Sequence, residues 1–326
     1  MNACDVSVVI PTCRRPDLLQ RCLAPLLQQT LEPGRYEIVV VDDGQTEDTR
    51  ALVERLAAST QGRPLLRYLR PQGTKGPAAA RNRGWRAAQG EVIAFTDDDT
   101  IPDIDWLRQG LRAIAADKAA VRGQVQVPVL GPLTDHGRMT KGLEAAEFVT
   151  ANCFVRKSAL EAVDGFDERF LRAWREDSDL HFKLIERHGE VPKAPLAIVL
   201  HPVREAPFGI SLKQQANMMF DALLFKKHPR LYRSRVGRLR APASYYAIVA
   251  ATAAAPVAGL AGHALAAVGL LAAAAVLILR LALKRLHGTA RTPQHVAEML
   301  LTSAAIPFLS LFWRVRGGLR FRVPFF

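Results

Sequence analysis

Four short apolar runs, separated by segments of helical periodicity, constrain this chain more than any other feature. "VSVVIPT" (6–12), "YEIVVVDDG" (36–44), "PLLRYLR" (64–70) and "EVIAFTDDD" (91–99) are rich in β-branched residues and too short for stable helices, so they are expected to be buried strands. Between the first two, "PDLLQRCLAPLLQQT" (16–30) repeats Leu19, Cys22, Leu23, Leu26 and Leu27 at helical spacing. "TEDTRALVERLAAS" (46–59) carries acids in its first turn, where they complement the helix dipole. "GPAAARNRGWRAAQG" (76–90) opens with Pro77 and closes on Gly90. Strands alternating with helices of this length make βαβ units, hence an α/β fold with a mostly parallel sheet and helices on both faces.

Ligands of such sheets bind beyond the carboxyl ends of the strands. Pro11-Thr12, Asp42-Asp43 and Asp97-Asp98-Asp99 therefore belong to one rim. Asp43 followed by Gly44 reads equally well as an ordinary turn. Three consecutive carboxylates are different, because each raises the proton affinity of the next unless a cation or donor offsets the repulsion. Oxygen ligands at a strand end suit a hard divalent ion, Mg²⁺ or Mn²⁺, partly hydrated and shared with substrate phosphates.

Charge divides the chain. From residue 226 onward there are 15 Lys and Arg against one acid, Glu298, whereas residues 1–225 hold 29 bases and 30 acids. A balanced domain joined to a basic tail argues against nucleic acid as a partner, since a nucleic-acid-binding fold carries its charge on the folded core. Cys4, Cys13, Cys22 and Cys153 have neither zinc-like nor C-x-x-C spacing and are expected to be reduced thiols. "MNACDVSVVIPT" lacks the basic and long apolar regions of a cleaved signal peptide.

"VSVVIPTCRRPDLLQRCLAPLLQQT", "YEIVVVDDGQTEDT", "GPAAARNRGWRAAQGEVIAFTDDD", "TANCFVRKSALEAVDGFDERF" (150–170) and "WREDSDLHFKLIERHG" (174–189) occur in this order. Over residues 5–205 they resemble the family 2 glycosyltransferases of GT-A fold. The resemblance implies an inverting transfer of a sugar from a nucleoside diphosphate donor (UDP-, GDP- or dTDP-linked) to a hydroxyl acceptor. It implies that Asp42 faces the nucleotide base, with Pro11 and Thr12 lining the same pocket and Arg81 beside the donor. The competing, less favoured reading of Arg81 is a solvated helix arginine. Asp97 and Asp99 become the outer members of a D-x-D motif around Asp98, Asp97 toward the ribose and sugar and Asp99 on the metal. Cys13-Arg14 departs from the aromatic-Asn pair common in the family, which bears on donor contacts at Arg14.

An inverting transfer needs a base to take the proton of the acceptor hydroxyl. By resemblance Asp177 is that base and Glu176 its acceptor-contacting neighbour. Asp179 is expected only to complement the helix N-terminus. Trp174 is either a platform for an acceptor sugar or a core residue. Asn152 is expected near the acceptor, and Asp167 in a structural loop. His201, after the strand-like "AIVL", is either a structural histidine or a late metal ligand beside Asp97 and Asp99.

Residues 241–279 contain no Lys, Arg, Asp or Glu. That run is too long for one span of ~20 residues and suits two, with a turn near Pro256, Gly259, Gly262 and His263. A buried Ala-rich hairpin of a soluble enzyme is the competing reading. Lys226, Lys227, Arg230, Arg233, Arg235, Arg238 and Arg240 precede the run, and Arg280, Lys284, Arg285 and Arg291 follow it. Bases at both ends predict a hairpin with both ends in the cytoplasm. "MLLTSAAIPFLSLFW" (299–313), short for a span and containing Pro307, is expected to be interfacial or re-entrant. The expected layout is a GT-A domain (1–225), a basic juxtamembrane linker (226–240), a two-helix membrane hairpin (241–283) and a basic tail with an interfacial segment (284–326). This puts a metal-dependent hexosyltransferase of glycan or polysaccharide assembly on the cytoplasmic (inner) membrane, facing the cytoplasm, with a glycan or lipid-linked acceptor. The alternatives are a catalytically weak membrane scaffold that binds sugar nucleotides, and a nucleotidyltransferase. The latter is disfavoured because "PTCRRP" lacks a Gly-rich phosphate loop.

Overall fold

A computed structural model describes residues 4–325 except 116, 130 and 238, so Arg238 of the basic linker lies outside the described residues. The chain forms two compact units, one of residues 1–128 and 141–203, the other of residues 129–140 and 204–326.

The first unit is built on an eight-stranded sheet. Its elements in chain order are β1 (Val6–Thr12), α1 (Pro16–Leu26), β2 (Tyr36–Asp42), α2 (Glu47–Ser59), β3 (Leu65–Leu69), α3 (Pro77–Ala87) and β4 (Val92–Phe95). After these come β5 (Ile101–Pro102), α4 (Trp106–Ala113), β6 (Ala120–Gln126), β7 (Cys153–Arg156), α6 (Lys157–Ala162), α7 (Glu176–His188) and β8 (Lys193–Leu200); α5 (Asp135–Lys141) falls mainly in the second unit. The strand order is β3-β2-β1-β4-β7-β6-β8-β5. The four strands expected from sequence make the parallel half. β7 then runs antiparallel to both β4 and β6, β8 runs parallel to β6, and the short β5 runs antiparallel to β8.

Side-chain alternation along β1 divides the core in two. Val6, Val8 and Ile10 join Leu19, Leu23, Leu52 and Trp106 of α1, α2 and α4 on one face. Val9 joins Ala80, Trp85, Leu160, Leu180 and Leu184 of α3, α6 and α7 on the other. Burial on both faces explains the continuous apolar runs of β1, β2 and β4. Gly84 lets α3 approach β1 closely, since a Cβ there would come within 2.4 Å of Val9 Cγ1. The β1–β2 register sets Thr12 opposite Asp42, and β4 delivers Asp97 beyond the same end of the sheet.

The second unit is helical. It holds α8 (Ile210–Gln214), α9 (Met218–Lys227), the single turn α10 (Pro229–Leu231), α11 (Ala243–Leu260), α12 (Ala264–Leu286) and α13 (Pro293–Phe321). α11 and α12 form the expected hairpin. Pro256 stays inside α11, and the chain reverses at Ala261–His263 with Gly262 at φ 83°. The "MLLTSAAIPFLSLFW" run turns out to be the middle of a 29-residue helix. Pro293 occupies its first turn, the Thr292 side chain accepts from the His295 amide, and Arg322 ends it at φ 52°. By length and composition α11, α12 and α13 are each long and apolar enough to cross a membrane.

Candidate active site

The three consecutive aspartates point in different directions. Asp98 turns inward and is fully buried, accepting from Thr12 Oγ1 at 2.7 Å and pairing with Arg15 Nη2 at 2.8 Å. Burial pushes its carboxyl up to about 6 against the pull of Arg15 and Thr12, and neighbouring Asp99 and Asp97 add to the rise. Asp98 is therefore the anchor that ties the β4 end to the β1 end. Asp97 pairs with Arg81 Nη2 at 2.7 Å, and Asp99 Oδ1 lies 3.5 Å from His201 Nε2.

Asp97, Asp99 and His201 each offer one ligand atom, all within 4.8 Å of one another. Two carboxylates and an imidazole are a donor set that suits Mn²⁺ or Mg²⁺. His201 is nearly buried and its Nδ1 has no hydrogen-bond partner.

Arg81 joins this rim to the start of α7. It is buried, and its Nη1 lies 3.1 Å from Glu176 Oε1 while Nη2 holds Asp97. Burial opposes its charge, but Asp97 and Glu176 together outweigh that and raise its proton affinity. Glu176 is pushed up to about 8, mainly by burial and then by Asp177, with Arg81 pulling the other way. Burial also raises Asp177, whose Oδ1 accepts from the Ser178 amide at 2.6 Å and Ser178 Oγ at 3.3 Å. Arg175, immediately before α7, sits at φ 75°, a left-handed conformation that a non-glycine residue adopts only when its surroundings hold it. The Arg175 guanidinium lies 5.0 Å from the Trp174 ring centroid, and Trp174 is half-buried, outside the core.

Other expected residues have different duties. Asn152 does not join the cluster: it is fully buried, its Oδ1 accepts from Trp106 Nε1 at 2.9 Å, and its Nδ2 donates to the Gln124 and Ala197 carbonyls at 3.0 and 2.9 Å. It fills the irregular pairing of β6 with β8 beside Gly123, where a Cβ would collide with it. Asp42 is likewise occupied, accepting from the Gly44 amide at 2.9 Å, the Thr46 amide at 2.8 Å and Tyr68 Oη at 3.1 Å. These bonds lock the β2–α2 loop. Its neighbour Asp43 carries a buried Oδ1 with no partner. Pro11 is half-buried at the rim, and exposed Arg14, at φ 55°, packs against Gly44. Asp167 pairs with Arg169 two residues on.

One residue against the aspartate cluster is not singled out by the sequence. Arg15, which meets Asp98 and lies 3.7 Å from Asp99, was hidden beside Arg14 in "CRRP". Its place directly before Pro16, the first residue of α1, was the signal. Asp43, which the sequence places on the same rim or equally in a turn, leaves the hydrogen bonds of the turn to Asp42.

A rim of acids beyond the carboxyl ends of the parallel strands is thus linked through Arg81 to buried Glu176, with Asp177 next to it at the start of α7. Residues 7–163 match the profile of glycosyl transferase family 2. The chain carries a family 2 glycosyltransferase domain built on the GT-A fold. It is 28% identical over 222 residues to the glycosyltransferase AglE of Haloferax volcanii, covering 64% of this chain and 70% of that one. It is 29% identical over 216 residues to the pre-mycofactocin glycosyltransferase of Mycobacterium tuberculosis, covering 61% of this chain but only 43% of the relative's length. Its fold is similar to that of the mannosyltransferase PcManGT from Pyrobaculum calidifontis, solved in complex with GDP-Man and Mn²⁺, with TM-score 0.59 and 21% identity over 96% of this chain and 88% of that one.

Proposed function

We propose that this protein is a metal-dependent, inverting hexosyltransferase that moves a sugar from a nucleoside diphosphate to a hydroxyl acceptor. The observation that carries the reading is the pairing of two centres. Asp97, Asp99 and His201 gather donor atoms on the rim, and Arg81 spans from Asp97 to the Glu176-Asp177 pair.

Asp97, Asp99 and His201 would hold the divalent ion, which when bound neutralises charge on the departing diphosphate. Arg15 keeps Asp98 facing inward and thereby aims its two neighbours outward. The Asp43 Oδ1, buried and without a hydrogen-bond partner, would accept a hydrogen bond from the nucleotide, whereas Asp42 already accepts from Gly44, Thr46 and Tyr68. Asp177 takes the acceptor proton. Its raised pKa makes it a stronger base than an exposed aspartate, and the Ser178 amide and hydroxyl fix one oxygen so that the other is presented. Trp174, half-buried and shortly before Asp177 in the chain, would offer to an acceptor sugar the ring face that Arg175 does not cover.

Helices α11 and α12 anchor the enzyme as a hairpin in the cytoplasmic membrane, with its basic ends and the catalytic unit on the cytoplasmic side. A covalent tether of this kind favours a lipid-linked or membrane-proximal acceptor. The test is binding of UDP-, GDP- and dTDP-hexoses to the detergent-purified chain with and without Mn²⁺, followed by transfer to lipid-linked acceptors. One nucleotide class should bind and lose its affinity in chelator; absence of binding by every class would overturn the reading.

A further inference from the structure

Helix α13 is long and apolar enough to cross a bilayer, yet its attachments within the second unit give it another direction. In its first half, Arg285 Nη1 donates to Thr302 Oγ1 at 2.7 Å and Ser303 Oγ at 3.0 Å, and Arg285 lies in the last turn of α12. Near its end, Arg314 Nη1 donates to the Leu239 carbonyl at 3.0 Å, just before α11 begins at Ala243. Because α11 and α12 run antiparallel through a short turn, Leu239 and Arg285 mark the same, basic end of the hairpin.

Thr302 and Arg314 are separated by about 18 Å of helix at 1.5 Å per residue. A helix lying alongside the hairpin would carry one of them by that distance toward the turn at Gly262. Both instead touch the basic end. Further contacts extend the pattern: Gly317 packs on Met219 so closely that a Cβ would meet its carbonyl at 2.7 Å, and Lys226 Nζ donates to the Phe321 carbonyl at 2.8 Å.

The face turned away from these contacts is apolar. Leu301, Phe308, Phe312, Val315 and Leu319 follow one another at helical spacing and are 65%, 41%, 53%, 42% and 72% exposed. Exposed Arg316, Arg320 and Arg322 accompany the stripe. The polar residues Thr302, Ser303, Ser310 and Arg314 are all on the buried side.

We propose that α13 does not span but lies in the plane of the bilayer interface, crossing the basic end of the hairpin. Its Leu/Phe stripe enters the acyl region of an anionic leaflet, and its arginines meet the headgroups. Charge complementarity selects this occupant: from residue 226 onward the chain has 15 bases and a single acid. The placement rests on the hairpin reading of α11 and α12 and is independent of the transferase chemistry.

Reporter fusions of the full chain after Ala290 and Pro324, with an insertion at Gly262, separate the possibilities. The fusions at 290 and 324 should report cytoplasm and the insertion at 262 the opposite side. A 324 fusion that reports with 262 against 290 would make α13 a span and overturn the placement while leaving the hairpin intact. A cytoplasmic 262 would overturn the hairpin and this placement with it. Depth is read on the full chain with Phe312→Cys bearing a fluorophore, in a background without Cys4 and Cys13, reconstituted in phosphatidylglycerol-containing vesicles. Quenchers at headgroup depth should act at least twofold more strongly than quenchers at the bilayer centre. Stronger central quenching, or none from either depth, would refute the in-plane helix.

Discussion

Replacing Arg81 by methionine tests the link between the two halves of the site. The guanidinium is 4% exposed and holds two carboxylates, Glu176 at 4% exposure and Asp97 at 26%. Removing one partner of a buried ion pair costs about 3–5 kcal/mol, because the other charge stays buried. Asp97 is partly solvated and loses less than Glu176, so a loss of about 3 kcal/mol is expected for Arg81→Met at a pH where Glu176 is charged, above about 8. In a unit of this size that lowers the melting temperature by about 6–12 °C. Burial already raises Glu176 above its ordinary value, and losing Arg81 raises it further. A carboxyl whose folded pKa exceeds its unfolded pKa favours folding when protonated and opposes it when charged. Glu176 is protonated in both folded proteins well below about 8, so its share of the deficit is absent there, appears as pH rises through about 8, and is full above the variant's higher folded value. Adding Glu176→Gln to Arg81→Met should restore a large part of the loss, since the amide has no charge to desolvate. Thermal melts of the full chain in detergent, followed by tryptophan fluorescence, provide the assay, because Trp85, Trp106 and Trp174 lie in the first unit. A loss below about 1 kcal/mol, or no recovery with Glu176→Gln, would refute the shared-cation argument.

Asp177→Asn keeps the size of the proposed base and removes its ability to take a proton. Turnover should fall by about 10²-fold or more while nucleotide affinity stays within about twofold, as measured by single-turnover transfer and nucleotide titration. Asp99→Ala and His201→Ala should each weaken Mn²⁺ binding, read by paramagnetic relaxation of water without any substrate; unchanged relaxation titrations would remove both from the metal site. His181, buried and stacked on Phe148 at 4.8 Å, has its pKa lowered to about 4 from 6.5, chiefly by burial and then by Arg122. Its neutral form supports the fold fully above the unfolded value, and that support is lost as pH falls from about 6.5 to 4, a change of about 3 kcal/mol. His181→Phe should flatten the acid limb of the stability–pH profile, measured by denaturant unfolding at several pH values.

What could be read from the sequence follows the reach of each residue's partners. β1, β2 and β4 were legible because burial on both faces leaves an uninterrupted apolar run. β6 ("AVRGQVQ") and the first half of β8 ("KAPL") break that pattern with Arg122, Gly123, Lys193 and Pro195, and only "AIVL" of β8 reads as a strand; the pairing of the two is itself irregular at Gly123/Gln124. Asp97 and Asp99 emerged as the outer pair through the resemblance to a D-x-D motif, since three identical residues in a row do not themselves separate the two from Asp98. Asn152 did not emerge, because the carbonyls that occupy it belong to Gln124 and Ala197, distant in sequence. That Tyr68 of β3 engages Asp42 was hidden in the same way, because the two are distant in sequence. The same logic governs α13. Its polar residues make the apolar run look short when counted along the chain, but Thr302, Ser303 and Arg314 sit on the side that meets Arg285 and Leu239. Helical periodicity would have separated the two faces, whereas counting uninterrupted apolar residues merged them. Length and mean hydropathy measure whether a helix can cross a bilayer; the distribution of its hydrogen-bonding partners determines whether it does.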